Sequence, residues 1–333
     1  MKKVLVTGAN GLLGSHVVRE LLSKKYNVRV LARKGSDLRA LHNLNVEIHF
    51  GQITIGKDIM NAVNGCNYVI HVAARTSQAP ADLKFYLKPN IESTKNIIKA
   101  CKQFNIKRLV FVSSANCFGN GTKEKPGNEN CSFLPWLKHS GYAYSKFLAQ
   151  QIVLKEAKEN NLAAVIVSPT FIIGARDYKP SSGQIFSHVL NKQIAFCPPG
   201  GKNFVDANMA ASGIVSAMQK GKIGECYLLA GENHSYLEFF RMVNEAAEQK
   251  TRFVPVPKLL LLFAGFCGGL FGKIFRRPVQ LTLTNARMLC LGNYFSAQKA
   301  FSALDFQLVP TRKSVEKAIS WFRSNDFFLP KKQ

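Results

Sequence analysis

The chain has 333 residues, 47% of them hydrophobic, with no internal repeat and no low-complexity tract; this is enough for one large folded domain or two fused ones. Its 45 lysines and arginines outnumber 20 aspartates and glutamates, for a formal charge of +25 that favours anionic surfaces and ligands. The basic residues are spread along the whole chain without zinc-finger spacing, an RNA-binding signature or a basic heptad helix, which argues against nucleic acid as a partner. Eight scattered cysteines form no C-x-x-C pair and none lies near histidines at metal-ligand spacing, so they read as reduced thiols of a cytoplasmic protein with no metal.

The first element is a short buried strand ending at Thr7, and a chain that enters a strand at once is expected to carry no signal peptide. Gly8, Gly11 and Gly14 follow in a G-x-x-G-x-x-G turn that opens a helix with apolar Val17, Val18, Leu21 and Leu22. Gly8 suits the tight turn, Gly11 lets the backbone approach a pyrophosphate, and Gly14 allows close helix–sheet packing. The helix N-terminus presents free N–H groups and partial positive charge to phosphates. The stretch Gly8-Ala9-Asn10-Gly11-Leu12-Leu13-Gly14 is therefore expected to cradle a dinucleotide. Further strands are predicted at Val28–Leu31, Val46–Phe50, Tyr68–Val72, Arg108–Ser113 and Ala163–Val167, with helices at Lys57–Asn64, Asn90–Phe104 and Tyr142–Glu159. This alternation predicts an α/β fold with a doubly wound parallel Rossmann sheet, whose ligands sit at the carboxyl ends of the strands.

Beyond Val167 prolines and glycines mark loops, then Cys226–Leu229 reads as a returning strand, and helices are predicted at Leu237–Glu248 and Ser314–Arg323. The expected organisation is a nucleotide-binding domain over residues 1–170 with a returning segment near 205–230. Residues 171–204 and 231–333 then form a smaller, discontinuous C-terminal substrate-binding region. The polar loop Gly119–Asn130 either shields the site or is a solvated surface loop. Leu259–Gly272 is an uncharged apolar run of 14 residues, flanked by Lys258, Lys273, Arg276 and Arg277, and short of the ~20 needed to span a bilayer. It reads either as a buried helix covering a lipophilic pocket or as an amphipathic segment touching a membrane surface.

Tyr142 and Lys146 are four residues apart and share one helical face. A free phenol, with a pKa of ~10, is a poor acid–base group at neutral pH. A neighbouring ammonium stabilises the phenolate, so the tyrosine is expected to exchange a proton with a carbonyl or alcohol oxygen during hydride transfer. Ser113 and Ser114 end the fifth predicted strand, where a serine hydroxyl can hold the substrate oxygen. Arg33 ends the second strand, 19 residues after Gly14, where an NAD enzyme usually has an acid on the ribose hydroxyls. A guanidinium instead pairs with a 2′-phosphate, assisted by Lys34 and Ser36, so NADP(H) is preferred, with NAD(H) the alternative.

With these motifs the chain resembles the extended short-chain dehydrogenase/reductase family, also called the NAD-dependent epimerase/dehydratase family. The matching residues are Thr7-Gly8-x-x-Gly11-x-x-Gly14, His71-Val72-Ala73-Ala74, Asn90 and Thr94, Val112-Ser113-Ser114-Ala115, Tyr142-x-x-x-Lys146, Ser168-Pro169-Thr170 and Gly174. The resemblance implies that Ser114, Tyr142 and Lys146 are catalytic, Ser114 as the last serine of its run. Tyr144, only two residues from Lys146, is the less favoured candidate for the catalytic tyrosine. It also implies that Gln52, Ile53, Ala73, Ala74, Tyr142, Lys146 and Pro169 join the glycine turn and Arg33 around the cofactor, and that a homodimer is plausible. Leu31-Ala32-Arg33-Lys34-Gly35-Ser36-Asp37-Leu38 and Gly201-x-Asn203-Phe204-Val205 are most similar to the dihydroflavonol reductase-like branch, whose members often act on hydrophobic alcohols and ketones.

Departures from the family narrow the reaction. Ala115 and Asn116 stand where sugar dehydratases carry an acidic pair, and Ser168-Pro169-Thr170-Phe171-Ile172 lacks the asparagine that nucleotide-sugar epimerases use. Phe171, Ile172, Phe186, Phe196, Phe204 and the 259–272 run suggest an apolar pocket. The expected activity is an NADP(H)-dependent interconversion of an alcohol with a ketone or aldehyde on a hydrophobic small molecule, Tyr142 supplying the proton. The alternatives are an NAD-retaining sugar epimerase and a non-catalytic NADP(H)-sensing protein.

Overall fold

The computed structural model describes residues 2–275 and 277–328. Its strands are β1 (Lys3–Thr7), β2 (Asn27–Ala32), β3 (Glu47–Phe50), β4 (Tyr68–His71), β5 (Arg108–Val112), β6 (Ala164–Pro169), β7 (Phe171–Ile173), β8 (Ile194–Cys197), β9 (Gly201–Asp206), β10 (Cys226–Leu229), β11 (Glu232–Ser235), β12 (Arg252–Pro255) and β13 (Gly292–Asn293). The helices are α1 (Leu12–Ser23), α2 (Gly56–Val63), α3 (Lys84–Tyr86), α4 (Ser93–Gln103), α5 (Gly141–Glu159), α6 (Gln184–Ser187), α7 (Ala207–Lys220), α8 (Tyr236–Ala247), α9 (Lys258–Ile274), α10 (Leu283–Cys290), α11 (Gln298–Leu304) and α12 (Thr311–Ser324).

Seven strands form one parallel sheet in the order β10-β6-β5-β4-β1-β2-β3. Val4, Leu5 and Val6 of β1 and Val165, Ile166 and Val167 of β6 are fully buried. Strands buried on both faces need such continuous apolar runs. Val17, Val18 and Leu21 of α1 join the same core. The strand order reverses beside β1, between β1 and β4, and there the carboxyl ends open a crevice. The returning strand occurs at Cys226–Leu229 as read from sequence, and β10 closes the sheet edge against β6.

The helix expected over Asn90–Phe104 is regular only from Ser93. A π-helical turn precedes it over Leu87–Glu92. Pro89 has no N–H to donate, and its carbonyl instead accepts the Ser93 hydroxyl at 2.6 Å. The region read as loose loops after Val167 contains real strands. β9 pairs with β7, β11 and β13, and β8 pairs with β12. These strands are two to six residues long, and partners distant in sequence stabilise them. Beside them lies a second core built from Phe186, Phe204, Phe239, Val315, Ile319 and Phe322.

Two expectations about apolar residues do not hold. Phe186 and Phe204 are core side chains rather than pocket wall, and Phe196 points outward at 69% exposure. The run at 259–272 forms α9, but within that helix only Leu261 and Gly265 are buried, so it is not a buried cover. The 119–130 loop is tied down. Gly121 and Gly127 both donate to the Tyr294 carbonyl, at 3.1 and 3.0 Å, and Glu129 accepts the Leu228 amide at 2.7 Å.

Candidate active site

The glycine turn takes the geometry its residues demand. Gly8 has φ +69°, and a Cβ there would lie 2.7 Å from the Ala73 amide nitrogen. A Cβ on Gly14 would sit 2.1 Å from the Gly8 carbonyl oxygen, so at this point α1 meets the turn after β1 through bare backbone. Gly11 differs, because its Cβ would meet nothing closer than that same oxygen at 3.5 Å. No chain contact accounts for a glycine at Gly11, which caps α1 beside open space. The free N–H groups of the first helical turn beside it suit an anionic group.

The other expected cofactor residues follow the strand ends in order across the sheet. Gly51 donates to the Ala32 carbonyl at 2.9 Å, which sets Gln52 and Ile53 beside Arg33. The Asn10 amide donates to the Asp37 carbonyl at 3.2 Å and joins the glycine turn to the loop after β2. Arg33 and Lys34 are exposed and form no ion pair among the described residues. Between them and Asp37 the Ser36 hydroxyl is buried with no hydrogen-bond partner. An orphaned donor beside two cations outside any ion pair is a setting that suits an anionic group.

At the crevice, the Thr7 hydroxyl lies 2.8 Å from His71 Nδ1 and accepts the Ala73 amide at 3.2 Å. Burial holds the His71 imidazole neutral, its pKa near 3. Asn90 accepts the Arg75 amide at 2.7 Å, donates to the Arg75 carbonyl at 3.1 Å and donates to Ser145 Oγ at 2.8 Å. This one side chain therefore clamps the segment after Ala73 and Ala74 to α5, one residue before Lys146. Its position in a π turn suits it to that task.

The start of α5 is capped by Ser140, whose hydroxyl accepts the Ala143 amide at 3.3 Å. Tyr142, in the first turn, is half-buried and hydrogen bonded to Ser114. The other serine of the pair faces inward, Ser113 Oγ donating to Gln150 Oε1 at 2.6 Å. Tyr144 stacks on Phe133, with ring centroids 6.1 Å apart, away from this cluster. Lys146 is buried, donates to the Val112 carbonyl at 2.7 Å and lies 4.4 Å over the Phe111 ring. Burial lowers its pKa to about 8. The phenol is not held down as expected from the spacing. Burial raises Tyr142 to about 12 against the opposing hydrogen bond from Ser114. The ammonium is spent on Val112 and Phe111, and desolvation outweighs any help it gives the phenolate.

Pro169 ends β6, buried and in register with Leu229. The next residue, Thr170, donates to Asn203 Oδ1 at 2.7 Å. Phe171, immediately after it, carries Lys202 Nζ at 5.0 Å over its ring. Lys202 makes no salt bridge among the described residues, and burial pushes its pKa down to about 8. Sequence reading overlooked this lysine, because one cation among many carries no signal until its burial is known. A surface depression of about 580 Å³ lined by Lys3, Tyr26, Asn43 and Glu47 lies at the amino ends of β1–β3, away from this site.

The profile of the NAD dependent epimerase/dehydratase family matches residues 4–230. Sterol demethylase protein B of Methylococcus capsulatus is 28% identical over 322 residues, spanning 96% of this chain and 98% of that one. The decarboxylating sterol-4-alpha-carboxylate 3-dehydrogenase of Dictyostelium discoideum is 26% identical over 309 residues, covering 89% of this chain and 92% of that one. The crystal structure of gox2253 superposes with a TM-score of 0.86 at 30% identity, over 98% of this chain and 99% of that one.

Proposed function

Because the chain belongs to the NAD dependent epimerase/dehydratase family, as an extended short-chain dehydrogenase/reductase, we propose that its NAD(P)-dependent chemistry on CH–OH groups is an NADP(H)-linked interconversion of a ring alcohol and ketone on a hydrophobic molecule. The Tyr142–Ser114 hydrogen bond beside buried Lys146, at the carboxyl ends of β5 and β6, is the observation that carries this reading. When bound, the nicotinamide group supplies or accepts the hydride at the substrate carbon. Tyr142 moves the proton, giving it to the carbonyl oxygen in reduction and taking it from the hydroxyl in oxidation. Ser114 holds that oxygen against the phenol, and Asn90 keeps α5 in place behind both. Gly8, Asn10, Gly11, Leu12 and Gly14 would hold the pyrophosphate. Gln52 and Ile53 would flank the adenine, Ala73 and Ala74 would line the middle, and Lys146 and Pro169 would meet the nicotinamide end. Arg33, Lys34 and the orphaned Ser36 hydroxyl support NADP(H) over NAD(H). The substrate class rests on the sterol names of the relatives and on half-buried Phe171 and Ile172 beyond β6.

The test is nucleotide extraction from purified protein, followed by fluorescence titration with NADPH and NADH. Preference for NADPH, lost in Arg33→Ala, is the expected result; firmly retained NAD with no phosphate preference would favour a sugar epimerase instead. Tyr142→Phe is expected to lower the rate of sterol-type ketone reduction by about 10²-fold or more while NADPH still binds. Reduction at the wild-type rate in that variant would overturn the assignment.

A further inference from the structure

Half of the large apolar side chains that stand exposed among the described residues, nine of eighteen, lie between Leu259 and Leu283. They follow a pattern set by α9. Its inner face is made of Leu261, Gly265, Gly268 and Gly272, which rest on residues 277–286. A Cβ on Gly265 would lie 2.5 Å from Ala286 Cβ, and one on Gly268 would lie 2.2 Å from the Leu281 carbonyl oxygen. The opposite face carries Leu259, Phe263, Phe266, Leu270 and Ile274, between 50% and 81% exposed. At 3.6 residues per turn these five fall within a stripe roughly 80° wide, turned away from the glycines. The small residues thus hold the helix flat on the protein while the large ones face out.

Charge says what the outer face meets. Between Glu248 and Asp305 the chain has no acidic residue and eight basic ones: Lys250, Arg252, Lys258, Lys273, Arg276, Arg277, Arg287 and Lys299. Lys258 and Lys273, at the two ends of α9, and Arg277 just beyond it are exposed and form no salt bridge among the described residues. Arg276 lies outside the described residues. No described helix is long and apolar enough to cross a membrane. An outward apolar stripe framed by cations, too short to span, matches a helix lying in the plane of a bilayer interface. We propose that α9 is an interfacial anchor that docks the protein on an anionic lipid bilayer, with Leu259, Phe263, Phe266, Leu270 and Ile274 immersed and Lys258, Lys273 and Arg277 at the headgroups. The proposal stands apart from the redox chemistry above, because it rests on no residue of that site.

The full-length protein is spun with vesicles of equal parts phosphatidylglycerol and phosphatidylcholine, and with vesicles of phosphatidylcholine alone. Binding to the mixed vesicles, weakened by salt and much weaker on phosphatidylcholine, is expected. A Phe263→Ser/Phe266→Ser variant should lose on the order of tenfold or more of that binding. Charge reversal by Lys258→Glu/Lys273→Glu, which disturbs no packing, gives the same test through electrostatics. Phe263→Trp should emit to the blue on the mixed vesicles and be quenched by brominated lipid. Failure of the wild type to sediment, or unchanged sedimentation of both double variants, would overturn the proposal. Conversion from dimer to monomer in the serine variant without vesicle binding by the wild type would also overturn it, in favour of contact between two copies.

Discussion

Tyr142 and Lys146 work from unusual starting points. With the phenol near 12 and the ammonium near 8, Tyr142 keeps its proton through neutral pH, while Lys146 begins to lose its own in the mildly alkaline range. Reduction, which needs a protonated tyrosine, is therefore expected to run fully at neutral pH. Oxidation, which needs the phenolate, should climb steadily toward alkaline pH. Initial rates in both directions across pH 6 to ~10 check this, and oxidation faster at low pH than at high pH would contradict it. The same shifts bear on stability. Lys146 and Lys202 both have folded pKa values below the usual 10.5, so the folded state binds fewer protons than the unfolded one. Their destabilising effect is full below about 8 and disappears as pH rises above the unfolded value. Lys202→Met, which removes a half-buried cation with no salt bridge among the described residues and keeps its bulk, is expected to raise the neutral-pH melting temperature. An unchanged or lower value would show that the contact with Phe171 already compensates the burial. The serine choice illustrates what sequence can reach at this scale. The resemblance picks Ser114 as the last serine of its run, and the fold supplies the reason, turning Ser113 to Gln150 and Ser114 to Tyr142.

At the scale of elements, the glycine turn separates two jobs that the motif alone presents together. Gly14 is required by packing, whereas no contact among the described residues requires a glycine at position 11, which opens the helix. Gly14→Ala is expected to destabilise the fold by about 1–3 kcal/mol or more, because the methyl group would overlap backbone that cannot move aside. Gly11→Ala should leave thermal stability close to wild type and weaken NADPH binding. Melting curves with nucleotide titrations on both variants distinguish the two roles, and equal loss of stability in both would refute the separation. The strands of the parallel sheet were legible because long apolar runs between turn signals have few alternative placements. The strands of the second region were not, since β7, β9, β11 and β13 are held by partners far away in the chain. The π turn at Leu87–Glu92 was also hidden, because periodicity does not distinguish it from the helix it leads into.

For the whole molecule, the C-terminal segment completes the second core. Val315, Ala318, Ile319 and Phe322 of α12 are buried there, and Ser314 donates to Asp206 Oδ2 at 2.8 Å, the residue that caps α7. Deleting residues 311–333 is expected to expose the aromatic cluster around Phe186 and Phe239 and to yield aggregating protein. A soluble, cooperatively melting truncation would show instead that this core stands without α12. The sequence by itself determined the parallel sheet, the nucleotide turn and the family, since each depends on local pattern: apolar runs, glycine spacing, and a tyrosine one turn from a lysine. Only the tertiary structure decided which aromatic residues form core and which face out, and that Lys146 is buried. It also decided that α9 rests on its glycines and shows its large side chains. Hydrophobicity in a sequence states that a side chain avoids water, but the direction it faces depends on which small residues let a neighbour approach the other side.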